Sequence, residues 1–268
     1  MPVHDFSVIR EVEIRKLRDG SSALTTDEVI EELPVALVYN GISHAVMMAT
    51  PCDLEDFAYG FSLSEGLIDR AQDLRVLELI ERQEGVVIEL AMPDHCMQRL
   101  TLKQRNLLGA SGCGVCGAQA LEQLQSQPQA VSSGAVCTLA DIKRGLLKLQ
   151  LAQPLNQRAG GVHAAAWISQ ADIVVREDVG RHNALDKLIG HHARVGRAPG
   201  ILVLSSRASF ELIQKAASAD IQIVIAISAP TAQAIRTAVS CGITLVAFAR
   251  DDQMNIYSHP ERIVAQAA

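Results

Sequence analysis

Ile201-Leu202-Val203-Leu204, Ile221-Gln222-Ile223-Val224-Ile225-Ala226-Ile227 and Ile243-Thr244-Leu245-Val246-Ala247-Phe248 are the stretches that decide the fold. Each is a short, nearly continuous aliphatic run, too short for a core helix and rich in β-branched residues. Between them, Ser209 to Ala217 and Pro230 to Ser240 read as helices, and Gly242 stands where a C′ glycine is expected. Apolar strands that alternate with helices belong in a parallel sheet covered on both faces. Working toward the N-terminus, Asn183 to Ile189 reads as another helix. Val162 to Ile168 and Ile173 to Val175 read as an antiparallel pair joined by Ser169-Gln170-Ala171-Asp172.

The first part of the chain reads as a smaller α+β unit. Asn40-Gly41, between Val35–Val38 and Ile42–Met48, suits a type I′ hairpin. Thr50-Pro51-Cys52-Asp53 predicts a helix start, with Thr50 as cap, Pro51 at N1 and Asp53 at N3. Leu54, Phe57, Ala58 and Phe61 give that helix one apolar face, and Gly66 stops it. Val76–Ile80 and Val86–Leu90 flank Glu84-Gly85 as a second hairpin, and a helix follows Asp94 through Leu102. Thr138 and Asp141 form a capping box for a helix through Leu147. The fold class is therefore α/β, α+β overall. A smaller α+β domain spans 1–110, a mobile loop and linker 111–136, and a mixed-sheet domain 137–268.

Of 268 residues, 49% are hydrophobic, 20% charged and only 3% aromatic, so the core is aliphatic. The net charge of −6 argues against bulk affinity for nucleic acid or an anionic membrane. No apolar run approaches the ~20 residues of a membrane helix. Met1-Pro2-Val3-His4-Asp5 lacks a signal-peptide layout, so the expected location is cytoplasmic. Six scattered cysteines do not read as a disulfide framework, and Cys52 and Cys241 look like core residues.

Ligands of α/β sheets bind beyond the carboxyl ends of the strands, where three segments of this chain fall. Glu177-Asp178-Val179-Gly180-Arg181-His182-Asn183 opens a helix that Asn183 can cap with Asp186 at N3. Either Arg181 and His182 favour an anion at the helix start, or the turn is held by a structural Glu-Asp-Arg pair. Ser205-Ser206-Arg207-Ala208-Ser209 suits a phosphate, or Ser209 only caps. In Phe248-Ala249-Arg250-Asp251-Asp252-Gln253, a loop after the last strand, Arg250 can hold a phosphate and the aspartates can accept from a base or ribose. Together the three suggest a nucleotide or phosphate-bearing ligand. His163, after Gly160-Gly161, and His191-His192 read as structural.

Ser111-Gly112-Cys113-Gly114-Val115-Cys116-Gly117 puts two thiols two residues apart on a glycine-rich backbone. Such a pair binds a soft metal, cycles through a disulfide or carries a persulfide. Zinc needs four ligands, and His95-Cys96 or Cys137 are the only further candidates, so no metal site is assigned. A zinc-stabilised escort module and a dithiol oxidoreductase stand as alternatives to a carrier loop.

These motifs together resemble the FdhD family, the formate dehydrogenase accessory sulfurtransferases. The resemblance rests on the Cys113/Cys116 loop, Gly160-Gly161-Val162-His163, the block 177–187, Ser205–Ser209 and the Phe248 segment. It departs from the family pattern at Ala159 and Ser206. It implies a larger domain similar to cytidine deaminases. It implies a sulfur carrier that accepts persulfide sulfur from a cysteine desulfurase on Cys113, with Cys116 as partner. The recipient is the bis-molybdopterin guanine dinucleotide form of the molybdenum cofactor, needed by the formate dehydrogenase apoenzyme. By the resemblance, Phe248, Ala249, Arg250, Asp251, Asp252 and Gln253 correspond to the cofactor-binding segment, and a homodimer is implied. Arg181, His182, Ser205 and Arg207 are candidates for the same ligand.

Overall fold

The computed structural model describes residues 7–108, 129–250 and 253–264. Cys113, Cys116, Asp251 and Asp252 lie outside them. The chain opens with β1 (Ile9–Arg18) and β2 (Ser21–Ile30), an antiparallel ribbon in register from Ile9↔Ile30 to Arg18↔Ser21. Asp19 and Gly20, at φ 50° and 78°, make its turn. The ribbon is not anticipated above. Its side chains are mostly exposed, so it carries no apolar alternation, and Asp19-Gly20 is the signal that identifies it.

β3 (Leu33–Tyr39) and β4 (Ile42–Ala49) form the hairpin expected at Asn40-Gly41. β5 (Arg75–Arg82) and β6 (Gly85–Ala91) form the second. The four make one sheet of order β4-β3-β6-β5, in which β3 and β6 run parallel. α1 (Leu54–Ser64) and α2 (Asp94–Leu108) supply Phe57, Ala58, Phe61 and Leu100 to a core with Leu37, Tyr39, Ile88 and Leu90.

β7 (Cys137–Thr138) pairs with the terminal β14 (Ile263–Val264). The expected capping box of Thr138 and Asp141 opens α3 (Leu139–Leu151), and the short α4 (Pro154–Arg158) follows. Then come β8 (His163–Ser169), β9 (Ile173–Asp178), α5 (Arg181–Val195), β10 (Gly200–Leu204), α6 (Phe210–Ser218), β11 (Ile223–Ala226), α7 (Ala232–Cys241), β12 (Thr244–Arg250) and β13 (Gln253–Ser258). The sheet order is β13-β12-β11-β10-β8-β9. β10, β11 and β12 are parallel, and β8 runs antiparallel to β9 and β10. Ile142 and Leu149 of α3 cover one face, against Ala166, Val203 and Ile225. Leu188, Leu212 and Ala238 of α5, α6 and α7 cover the other, against Leu202, Val224 and Leu245.

Three local expectations are corrected. Thr50 does not cap α1, which starts four residues later behind Asp53 in a left-handed conformation (φ 51°). The Thr50 hydroxyl instead accepts from the Val179 N–H at 3.1 Å, and its own N–H donates to Asp178 at 3.1 Å. Asn183 does not cap α5, whose N-cap is Gly180. It turns inward and donates to the Met48 carbonyl at 2.8 Å and to Asp178 at 3.0 Å. Asp186 consequently lies beyond N3 and is buried. In both cases a tertiary partner outcompetes the local cap. At the Phe248 segment, β12 continues to Arg250, which pairs with Gln253 of β13, so Phe248, Ala249, Arg250 and Gln253 are strand residues and not loop. Phe248 stands at φ 52° where the register shifts, as in a β-bulge.

The two bodies meet where α1 crosses α5. A Cβ on Gly60 would stand 1.7 Å from the Asp186 carbonyl oxygen, and one on Gly190 1.8 Å from that of Asp56. The helices therefore touch backbone to backbone. Buried charges line this seam. Lys187 Nζ lies 2.6 Å from Asp178, both side chains fully buried, and also donates to the Thr50 carbonyl at 3.0 Å. Lys215 Nζ donates to both Asp186 oxygens at 3.0 Å, and the Ser64 hydroxyl donates to Asp186 at 2.7 Å. Asp56 accepts from Arg176 and Arg194, each at 2.7 Å.

We expect Gly60→Ala and Gly190→Ala each to cost about 3 kcal/mol or more in denaturant unfolding, because the clash is with backbone and cannot be relieved by a rotamer. Gly145→Ala in α3, whose Cβ would meet side chains rather than backbone, Ile168 at 3.2 Å and Val203 at 3.4 Å, serves as the mild reference. Lys187→Met leaves Asp178 buried without its counter-charge and should cost about 3–5 kcal/mol, much of it regained in Lys187→Met/Asp178→Asn. His192, against Trp167 at a ring separation of 5.5 Å, is pushed down by burial to a pKa of about 4. The unfolded chain, with histidine near 6.5, then binds more protons between those values. Stability should be full above about pH 6.5 and fall toward pH 4, and His192→Phe should flatten that arm in urea melts.

Candidate functional site at the carboxyl edge of the six-stranded sheet

Chain direction brings five segments to one edge of the sheet: the start of β8, the end of β9 running into α5, the turns after β10 and β11, and the end of β12. Backbone hydrogen bonds lace them together. Ser205 N–H donates to the Ala164 carbonyl at 3.0 Å, Ala208 N–H to that of Ala229 at 3.2 Å, and Phe248 N–H to that of Ser228 at 3.2 Å. The edge is thus one continuous rim.

Within the block 177–187, alternate residues point to opposite tasks. Glu177 accepts the N–H groups of Leu155 and Asn156 at 2.9 and 3.0 Å, tying down the start of α4. Burial raises its pKa. Asp178, Asn183, Asp186 and Lys187 go to the buried seam. Arg181 and His182, on the first turn of α5, remain at the rim. His182 Nε2 lies 2.8 Å from Glu211 Oε2 of α6, which sets the starts of α5 and α6 side by side. Burial and the Arg181 charge lower the pKa of His182, while Glu211 opposes them.

Arg207, exposed after β10, and Arg181 both act on His163 at the start of β8. Burial first, then these two charges, lowers the pKa of His163 below its ordinary value. His163, expected to be structural, lies at the start of β8 within electrostatic reach of both guanidinium groups. A lone histidine in sequence gives no sign of this; its place opposite the β10 turn comes from strand pairing. Ser205 Oγ accepts from Ala164 N–H at 2.8 Å and so closes the β8–β10 pair. Ser206 is buried and donates to the Arg207 carbonyl at 3.0 Å, so its hydroxyl turns away from the rim. Arg181 Nε and Ser209 Oγ are buried without a hydrogen-bond partner.

Beyond β11, a cleft of about 480 Å³ opens between α3 and the ends of β11 and β12. Leu146, Leu147 and Ile227 line it, with Lys143, Gln150 and Arg250 among its polar groups, and Ala249 is buried in its wall. Phe248, 45% exposed, stands outside it. This size is within the ordinary range for small-molecule sites. Lys143 and Gln150 lie on the helix through Leu147 and beyond, and nothing in their spacing marks them. Arg250 and Arg181 therefore share the rim, separated by the β10 and β11 turns. Gln253 is exposed at the start of β13.

Among the described residues, every thiol is poorly suited to nucleophilic work. Burial raises the pKa of Cys52, Cys96 and Cys241, and that of Cys137 to about 11. No group of three or more His, Cys, Asp or Glu is placed to hold a metal, again among the described residues. No helix among them is long and apolar enough to cross a membrane.

Comparison with known proteins agrees with this architecture. The FdhD/NarQ family model matches residues 30–264. A protein of Xanthomonas euvesicatoria pv. vesicatoria, named sulfur carrier protein FdhD, is 49% identical over 261 residues, covering 96% of this chain and 92% of its own. A Cupriavidus necator protein of the same name is 46% identical over 260 residues, covering 95% and 90%. A crystal structure from Desulfotalea psychrophila, presented as that of a candidate formate dehydrogenase accessory protein, superposes with a TM-score of 0.74 at 23% identity. It covers 96% of this chain and 100% of that one, a likeness of fold. With nearly its whole length matched, the chain belongs to the FdhD/NarQ family.

Proposed function

We propose that this protein carries sulfur for the maturation of formate dehydrogenase. It takes persulfide sulfur from a cysteine desulfurase onto Cys113 and delivers it to bis-molybdopterin guanine dinucleotide, which is bound as substrate at the carboxyl edge of the six-stranded sheet. The observation that carries this reading is near-full-length identity of 46–49% to proteins named sulfur carrier protein FdhD. Two features of the molecule favour it. Of the described thiols, Cys96, Cys137 and Cys241 are buried and Cys52 is partly so, and burial makes all four hard to ionise, which leaves the chemistry to Cys113 and Cys116. The rim offers Arg181, Arg207 and Arg250 beside a cleft of about 480 Å³, a fit for phosphates joined to flat rings.

The loading step balances simply. The Cys113 thiolate attacks the outer sulfur of the donor persulfide, the donor S–S bond breaks, and the donor cysteine leaves as a thiolate. Cys113 then bears the persulfide. Attack by the Cys116 thiolate on the inner sulfur of the Cys113 persulfide breaks its S–S bond and expels the outer sulfur as hydrosulfide toward the acceptor, leaving a Cys113–Cys116 disulfide that a cellular dithiol reductant reopens. Arg181, Arg207 and Arg250 hold the acceptor through its phosphates, so that the reacting sulfur need only reach a fixed target.

Incubation with a cysteine desulfurase and cysteine should add the mass of one sulfur atom to Cys113, read by peptide mass spectrometry. Cys113→Ala should gain none at that peptide and should reduce formate dehydrogenase activity in cells to background. Normal activity in that variant would overturn the proposal, as would stoichiometric zinc held by the Cys113 and Cys116 thiolates in the purified protein.

A further inference from the structure

We infer that two copies of this chain join through the free edge of β1, antiparallel about a two-fold axis at Ile14, so that two ribbons become one four-stranded sheet. The inference goes beyond the proposed function and does not rest on it. The family resemblance implies a homodimer but names no surface, and the ribbon lies almost wholly ahead of residue 30, where the family match begins. The argument starts from exposure. β1 and β2 form a sheet of two strands, with no third strand on either edge among the described residues. Ten residues per strand reach about 33 Å. The ion pairs at its base join Arg158 to Glu28 and Arg10 to Glu31. From Arg15 to Asp27 every residue is exposed, Leu17 and Leu24 each at 75%. A ribbon of two strands is marginally stable in water, and further strands are what stabilise it. Its open edge presents main-chain donors and acceptors for them.

The charges of β1 say which strand fits. Glu11 and Glu13 stand in its first half, and Arg15, Lys16 and Arg18 in its second. A strand with acids ahead of bases complements its own copy when the two run antiparallel. Opposed residues in such a pair share a face, so the axis passes through a residue. An axis at Glu13 or Arg15 sets that charge against itself, which is destabilising. An axis at Ile14 sets Ile14 against its own copy, Val12 against the stem of the partner's Lys16, and Glu13 against the partner's Arg15, twice by symmetry. Glu13 has no ion pair among the described residues, and Arg15 donates to the Ser22 hydroxyl at 3.3 Å. Arg10 then faces the partner's Arg18, but each has an acid of its own: Arg10 pairs with Glu31, and Arg18 lies 3.8 Å from Asp19. β2 offers no such match. Its charges, Asp27 and Glu28, have one sign, so addition stops at its edge. The two-fold closes the assembly at two copies.

The test uses the full-length protein. Opposed Cα atoms in antiparallel strands are about 4.5–5.5 Å apart, within reach of a disulfide. Ile14→Cys, mildly oxidised, should therefore give a peptide joined to its own copy at position 14, read by mass spectrometry. Leu17→Cys is the control. It is highly exposed, but it faces the partner's Glu11 and should not join to its own copy. Glu13→Arg and Arg15→Glu each turn two attractive pairs into two repulsive ones and should each weaken association about tenfold in sedimentation velocity. An equimolar mixture of the two variants should recover the parental association, because the exchanged charges then face each other. Equal cross-linking at both cysteines, a monomeric parent, parental association of each charge variant alone, or no recovery in the mixture would each overturn the ribbon interface. A dimer held only by the bodies of the protomers gives parental association in both charge variants and no cross-link at Ile14→Cys, and so is told apart. None of these readouts involves sulfur on Cys113, so their failure leaves the proposed function standing.

Discussion

The backbone contact of α1 with α5 at Gly60 and Gly190 is the constraint on which the rest depends. It fixes the four-stranded sheet against the six-stranded one, because α1 belongs to the first core and α5 to the second, and Leu63 packs into both. The contact leaves no room for side chains, so the carboxylates of Asp56, Asp178 and Asp186 are cut off from water and must find partners within the protein. They do so through Asp178–Lys187, Asp186–Lys215–Ser64 and Asp56 with Arg176 and Arg194. Buried pairs of this kind add little net stability. Their effect is on uniqueness: if α1 slides by one turn on α5, every one of these charges loses its partner while still buried. The seam thus has one register. The first turn of α5, which carries Arg181 and His182, is held at the rim by that register.

This explains how the block 177–187 can be both structural and functional. From the sequence, anion binding and a structural ion pair are competing accounts of the same residues. In the fold they are divided among them. Residues on the inner side of the turn and helix, Asp178, Asn183, Asp186 and Lys187, build the seam. Those on the outer side of the first turn, Arg181 and His182, face the ligand edge. Four inward charges or amides are the support that keeps two outward cations in place.

Elements with strong periodicity were legible: the Asn40-Gly41 hairpin, the apolar face of Leu54 to Phe61, the β8–β9 pair and the parallel βαβαβ run all form. Local caps were less so. Thr138 and Asp141 have no competing partner and form their capping box. Thr50 and Asn183 look equally suitable, yet Thr50 is claimed by Asp178 and Val179, and Asn183 by the Met48 carbonyl, each across more than 100 residues of chain. The β1–β2 ribbon and β13 were missed because they are largely exposed, and in β13 the alternation of Met254 and Ile256 with Gln253 and Asn255 is too short to mark a strand. Of the candidate site, Arg181, His182, Arg207 and Arg250 were found, because cations beyond strand ends are visible in sequence. Lys143 was not, since its place in the cleft comes from which strands and helices become neighbours. Cys113 and Cys116 were legible only as a motif.

The rim also has to be read against the whole charge. A chain with net charge −6 repels anions at long range, yet it gathers Arg181, Arg207 and Arg250 at one edge. Screening in physiological salt acts over about 8 Å, so distant acidic groups hardly weaken these cations at contact. The long-range field, however, gives no steering toward polyanions such as nucleic acid. An anion is therefore held here only if it reaches the rim and engages the directed donors, and it gains nothing from charge alone. Such a surface discriminates by geometry.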